Sequence, residues 1–183
     1  MLREARAIPD VSAWNFTGPV LNSDRFNPND EQVDPPKCAP IFSGPAHAQK
    51  GTVLWSWMQT DDGSDPDQSG PDFTVTLSVP TGQPDLQGLR DLLGKCGTFQ
   101  GGGVPVTMSP LQLPGLPNSA VARRWTMPVT IAGSIAGAEI TGLTRGIYVE
   151  VSVNRLNTGD ILTGDTDIMV KLFNDQVRKL EAA

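Results

Sequence analysis

The chain of 183 residues has one histidine, His47, one tyrosine, Tyr148, and only two cysteines, Cys38 and Cys96. A single histidine excludes any chemistry that needs two imidazoles from one chain. Two isolated cysteines do not complete a tetrahedral zinc site, and no Cys-x-x-Cys pair suggests redox catalysis. No apolar run reaches the 18 or so residues of a membrane-spanning helix. Basic residues are also scarce: 14 Lys and Arg face 20 Asp and Glu, a formal net charge of -6. That surface repels phosphate backbones, so no nucleic-acid partner is expected. The chain lacks a Gly-x-Ser-x-Gly elbow. Gly101-Gly102-Gly103 is not followed by Lys-Ser/Thr, so it is no phosphate-binding loop but suits a hairpin connection. No motif assigns a cofactor, a metal ligand or a catalytic residue.

What is abundant is turn chemistry. The 19 Gly and 16 Pro favour strands and ordered loops over a helical bundle. The length suits one domain over 1–183, with an irregular N-terminal segment over 1–50. The widely spaced pair Cys38 and Cys96 fits one disulfide in an exported protein; two buried free thiols in a cytosolic domain is the alternative. Met1-Leu2-Arg3-Glu4-Ala5-Arg6 contains no apolar leader. Two readings therefore stand: a cytosolic protein, or the mature part of an exported one whose signal or anchor has been removed. The expected disulfide favours the second.

Strand and helix periods organise the rest. Val11 to Leu21 suits a short strand around Trp14-Asn15-Phe16-Thr17, and Lys50 to Met58 reads as another. Phe73, Val75, Leu77 and Val79 alternate with Thr74, Thr76 and Ser78, as in a half-buried strand. Asp85 to Lys95 carries Leu86, Leu89, Leu92 and Leu93 at helical spacing, ending at Gly97. Val104 to Met108 is a strand whose Pro105 implies an edge or a terminus, Pro110 to Asn118 a connection, and Ala120 to Ile131 a further strand. Gly142 to Asn154 alternates Ile147, Val149, Val151 and Val153 with Tyr148, Glu150 and Ser152. Asp165 to Leu180 is amphipathic, with Asp165 or Thr166 as its cap. The pattern predicts an α+β fold: a mainly antiparallel twisted sheet of five to six strands, with a mid-chain helix and a C-terminal helix packed on one face and one disulfide.

Candidate sites are few. Asp61, Asp62, Asp65 and Asp67 offer calcium-type oxygens, but without EF-hand spacing and with Pro66 stiffening the loop; a solvated turn is expected. His47 has no neighbouring nucleophile or orienting acid. Trp14, Trp55, Trp57 and Trp125 fall in strands, and either fill the core or line an apolar cavity between sheet and helix. Arg123-Arg124-Trp125 places only one arginine outward on an alternating strand; the other sits at a rim or over Trp125. The ligand-binding candidates are thus Trp55, Trp57, Arg123 and Trp125.

Four segments carry a family likeness: Asp34-Pro35-Pro36-Lys37-Cys38, Leu92 to Phe99, Arg145 to Val151, and Leu172 to Leu180. Together they span most of the chain, and no residue among them is diagnostic. With them the chain resembles mycobacterial exported lipoproteins and the extracellular sensor domains related to the Ser/Thr kinase PknH. It departs from the kinase sensor domain, thought of as having two disulfides, in having cysteines for one. The resemblance implies a cell-envelope or secreted location, a sheet-and-helix fold with a cleft, and a binding or sensing role. The expectation is a non-enzymatic exported domain, a lipoprotein or a sensor-like module. It would bind a small apolar molecule, a cell-wall component or an envelope protein partner, and meet the membrane only through an N-terminal lipid anchor. An envelope hydrolase using loop carboxylates with Arg123 or Arg124 is the alternative, and a structural subunit of a surface or secretion assembly a third.

Overall fold

The alternating segments at mid-chain become paired strands, and the pairing decides which side chains share a face. A computed structural model of the chain describes residues 15–21, 33–43, 53–59, 70–80, 85–129, 133–156 and 159–183. The first two strands, β1 (Asn15–Leu21) and β2 (Val53–Gln59), are described by their backbone and by Ser56. Then come β3 (Asp72–Val79), β4 (Thr98–Gly101), β5 (Val104–Pro110), β6 (Ala120–Val129), β7 (Gly133–Thr144) and β8 (Ile147–Leu156). They form one sheet in the order β1-β2-β3-β8-β7-β6-β5-β4, every neighbour antiparallel. Among the described residues three helices accompany it: α1 (Ala39–Ser43), preceded by a 3-10 turn at Pro36–Cys38, α2 (Leu86–Leu93) and α3 (Thr163–Glu181).

The expected class holds: an antiparallel sheet, a mid-chain helix, a C-terminal helix and one disulfide. Two particulars differ. The sheet has eight strands rather than five to six, because β4 is short and β7 is rich in Gly and Ala. The helices also do not share a face. Directly paired residues in a sheet point the same way. Ala122, Ile140, Val151 and Val75 form one such row, and they pack with Met169, Leu172 and Phe173 of α3. Val121 has the opposite parity and belongs to a second core with Leu89 and Leu93 of α2, Ile41 of α1, Phe99, Val106 and Met108. A helix set on one face would have left the other half of β6 uncovered. Here each face of β6 meets its own helix.

Local chemistry fits these elements. The β4–β5 hairpin turns at Gly102 and Gly103, both at positive φ (62° and 81°), as a two-residue hairpin turn demands. Pro105 lies before Thr107–Pro110, the stretch of β5 that pairs with β6. Asp85 caps α2 by accepting from the Gly88 N–H. In α3 the cap differs from expectation. The helix starts at Thr163, and Asp165 works from inside its first turn, accepting from the Leu162 N–H at 3.1 Å and from Arg155 at 2.6 and 2.9 Å. Arg145, in the β7–β8 turn, donates to the Leu180 carbonyl at the far end of α3, where positive charge suits the helix dipole.

The disulfide joins Cys38 to Cys96, both buried, with 58 residues of separation. It lies in the second core and fixes the 3-10 turn and α1 to the chain just past α2. Asp34 adds a bridge to Gln100 of β4, through reciprocal backbone hydrogen bonds of 2.9 and 2.8 Å. Phe42 meets Phe99 edge to face at 5.9 Å between centroids. Residues 33–43 are thus held covalently, by ladder and by packing. Closing a loop of this length contributes about 4 kcal/mol in the chain-entropy model. The Cys38→Ala/Cys96→Ala variant should therefore lose about 2–5 kcal/mol in urea unfolding; a loss under about 1 kcal/mol would leave the bridge without its structural role.

Candidate functional site

On β6, Ala122-Arg123-Arg124-Trp125 alternates between two environments. Arg124 is exposed on the α3 side, where its Nε donates to Ser109 at 3.1 Å and its Nη1 lies 3.8 Å from Asp160. Arg123 points to the other face and is 3% exposed. Its Nη2 reaches Glu139 Oε1 at 2.8 Å, and that oxygen also accepts from Thr141 at 2.7 Å. The alternation predicts one arginine outward, as found; the other, expected at a rim or over Trp125, is instead buried against Glu139.

Arg123 belongs to a polar strip that crosses the sheet. Register stacks four rows on this face: Ser78 with Tyr148; Thr76, Glu150 and Thr141; Thr74, Ser152, Glu139 and Arg123; and Asp72, Asn154, Gly137 and Trp125. The first rows are closed to solvent, with Ser78, Tyr148, Thr141, Thr76 and Glu150 all buried. The last rows are partly open at Thr74, Ser152, Asn154 and Trp125. At the open end the Trp125 indole covers Gly137, where a Cβ would overlap its ring atoms; only glycine allows that approach. At the closed end the backbone of Asp85, the α2 cap, hydrogen-bonds Tyr148. Burial raises the Tyr148 pKa above its ordinary value, the Asp85 backbone bond opposes this, and the charges of Glu150 and Asp85 add to the rise.

A second feature lies where β5 passes to β6. A cavity of about 560 Å³ opens there, between Arg90 and Leu93 of α2, the connection over 111–118, and Ala120–Ala122. Leu111, Leu113 and Leu116 form its apolar part and pack against the main core. The Arg90 guanidinium donates to the carbonyls of Asn118 and Ala120, which secures the connection to α2. From the other side Asn174 of α3 donates to the Gly115 carbonyl at 3.1 Å. Gly115 has φ of 84°, so its place in the turn favours glycine.

The four candidate ligand residues do not fall together. Arg123 and Trp125 share the polar strip. Trp55 and Trp57 occupy register positions opposite Leu77 and Val75, the parity of the α3 face; their side chains lie outside the described residues, as do Trp14, His47 and the acidic loop over 61–67. Among the described residues no group of three His, Cys, Asp or Glu is placed to hold a metal ion, and no helix is long and apolar enough to cross a membrane. Sequence reasoning missed Glu139, Thr141 and the Arg90 cavity. Thr76, Ser78 and Glu150 read as the solvent half of amphipathic strands, and only strand order reveals them as buried.

The extracellular domain of PknH from Mycobacterium tuberculosis superposes with a TM-score of 0.51 at 12% identity, covering 92% of this chain and 86% of that one. This chain shares that fold. An uncharacterised protein from Mycobacterium smegmatis, the Rv0999 ortholog, matches with a TM-score of 0.48 at 16% identity, covering 91% of this chain and 86% of that one. No protein-family model and no curated protein matches the chain. The resemblance to the PknH extracellular domain read from Asp34–Cys38, Leu92–Phe99, Arg145–Val151 and Leu172–Leu180 is thus present in the fold.

Because Tyr148 is the single tyrosine, its titration is directly readable. A folded pKa raised above about 10 means that folding favours the protonated phenol. That contribution is complete below the unfolded pKa and is lost as pH rises through the folded one. Absorbance at 295 nm should therefore give a midpoint above that of the urea-unfolded chain, with stability falling above about pH 10. A folded midpoint at or below the unfolded one would contradict the burial.

Proposed function

We propose that this chain is an extracytoplasmic, non-enzymatic sensor-type domain that holds a small molecule with both apolar and polar groups in the cavity between α2 and the β5–β6 connection. The observation that carries the reading is the cavity itself. Its volume of about 560 Å³ lies within the range of small-molecule sites, and its lining is mixed, with more polar than apolar surface. Leu93, Leu111, Leu113 and Leu116 supply apolar wall, and Gln112 and Asn118 supply polar atoms that could fix orientation. The wall is built rather than loose, since Arg90 and Asn174 tie the connection to the helices on either side of the sheet.

The disulfide and the fold shared with a kinase extracellular domain support an oxidising compartment and a sensing role. The hydrolase alternative asks Arg123 or Arg124 to meet loop carboxylates. Arg123 instead faces Glu139, and Arg124 points to the opposite face towards Ser109 and Asp160. Neither offers a shared centre with the cavity. A lipid anchor ahead of Met1 and a cell-wall or protein partner are further parts of the expectation, and the cavity favours the small molecule over both.

The test uses the neutral probe N-phenyl-1-naphthylamine on the oxidised protein, with fluorescence titration. Saturable one-to-one binding is expected, weakened about tenfold or more by Leu116→Trp, which fills the cavity. Binding that is absent, or unchanged in that variant, would overturn the cavity reading. Mass spectrometry of the intact protein after alkylation without reduction checks the compartment argument: two alkylated thiols in the folded chain would remove it.

A further inference from the structure

The described arginines answer their charge in different ways. Arg123, Arg124, Arg155 and Arg178 each face a carboxylate, and Arg145 donates to the last turn of α3. Arg90 has no carboxylate partner among the described residues. Its Nη2 donates to the carbonyls of Asn118 and Ala120. Carbonyl oxygens satisfy N–H groups but carry no net charge, so the guanidinium stays a full cation. Its Nε and Nη1 make no hydrogen bond to the described residues, and in this half-buried side chain neither is shut off from solvent. A place in the last turn of α2 favours a positive charge there. That does not account for a guanidinium set into the wall of a cavity with donors to spare.

The rest of the wall fixes what those donors can meet. Arg90 is the one ionisable side chain that lines the cavity. The nearest carboxylates along the chain are engaged within α2: Asp91 accepts from Gln87 at 2.9 Å, and Asp85 caps the helix at the Gly88 N–H. The cavity is therefore locally positive in a chain whose net charge is -6. Its chemistry is also divided by element. Leu111, Leu113 and Leu116 of the connection form an apolar side backed by the main core, while Arg90 stands on α2. The amides of Gln112 and Asn118 add neutral donors. A ligand that answers both sides has an apolar body and one anionic end. A carboxylate suits this better than a phosphate monoester, which carries closer to two charges at neutral pH. One guanidinium balances one negative charge, and a second charge held in the cavity would be unpaired.

We infer that the cavity takes an amphiphilic monocarboxylate, with its carboxylate on the remaining donors of Arg90 and its hydrocarbon body along Leu111, Leu113 and Leu116. The inference rests on the cavity reading above and adds to it the charge and orientation of the ligand.

The experiment displaces N-phenyl-1-naphthylamine from the oxidised full chain with octanoate, octanamide and octyl phosphate near neutral pH. Transfer out of water alone favours the amide, whose head is uncharged. Octanoate should nevertheless displace the probe at about one tenth of the octanamide concentration, and at least as well as octyl phosphate. Arg90→Gln should bring octanoate and octanamide to within about twofold of each other, and Leu116→Trp should weaken both. The unmutated protein answers the same question where Arg90→Gln does not fold. Phenylglyoxal labelling of Arg90, read by peptide mass spectrometry, should fall several-fold in octanoate and stay constant in octanamide. Octanamide equal to octanoate, an octanoate preference that survives in Arg90→Gln, octyl phosphate about tenfold better than octanoate, or Arg90 labelling indifferent to octanoate would each overturn the carboxylate assignment. The cavity reading outlives those results wherever the neutral probe binds and Leu116→Trp blocks it; a probe that never binds removes both.

Discussion

The continuous register of β6, β7 and β8 is the constraint on which the structure depends. Each of the two pairings runs for ten residue pairs, and a slip of one residue would exchange the faces of every side chain involved. Ala138, Ile140, Val149, Val151 and Val153 would leave α3, and Glu139, Thr141 and Glu150 would enter the main core. The burial of unpaired charge that this requires makes the alternative registers prohibitive. Two features lock the register sterically. Phe173 of α3 occupies the space where Gly142 has no side chain, and Trp125 does the same over Gly137. The glycines that weaken β7 as an isolated strand are thus the positions that its large neighbours need.

One sheet then serves two different solvents. The α3 side is an ordinary aliphatic core. The other side changes character along its width, from the disulfide-bearing second core under α1 and α2 to the polar strip over β7, β8 and β3. The second core is small, and Cys38–Cys96 supplements its hydrophobic contribution with a covalent constraint. This anchors α2, whose Leu93 and Arg90 line the cavity and whose cap Asp85 closes the strip at Tyr148. The cavity and the strip therefore lean on the same short helix from different sides.

The strands with clean alternation, β3 and β8, and the stripe of α3 were legible in the sequence because a single period governed each. The disulfide partners were legible because there were only two. β7 was not: Gly137 and Gly142 carry little strand propensity, and what favours them is the size of Trp125 and Phe173, residues distant in sequence. The side on which α2 packs was hidden for a related reason, since its stripe says that it is buried but not against which parity of β6. For the sites, Arg123 and Trp125 could be singled out by residue type. Glu139, Glu150 and Thr141 could not, because a polar residue at an outward position reads as solvated until the strand order shows which face is covered.

The strand order also has a temporal side. β3 pairs with β8, so residues 72–78 meet residues 148–154 across a separation of roughly seventy residues or more. Chain delivered from its N-terminus, by a ribosome or through a secretion pore, presents β1, β2 and β3 long before β8 exists to join them. Throughout that interval the inner edge of β3 has open hydrogen-bonding groups, the condition that invites pairing with other chains. Arrival of β8 is the zipping step that fuses the early meander to the late one. Partial chains that stop short of Ile147 are consequently expected to be the aggregation-prone species in the life of this protein, and a chaperone guarding it would be guarding that one seam.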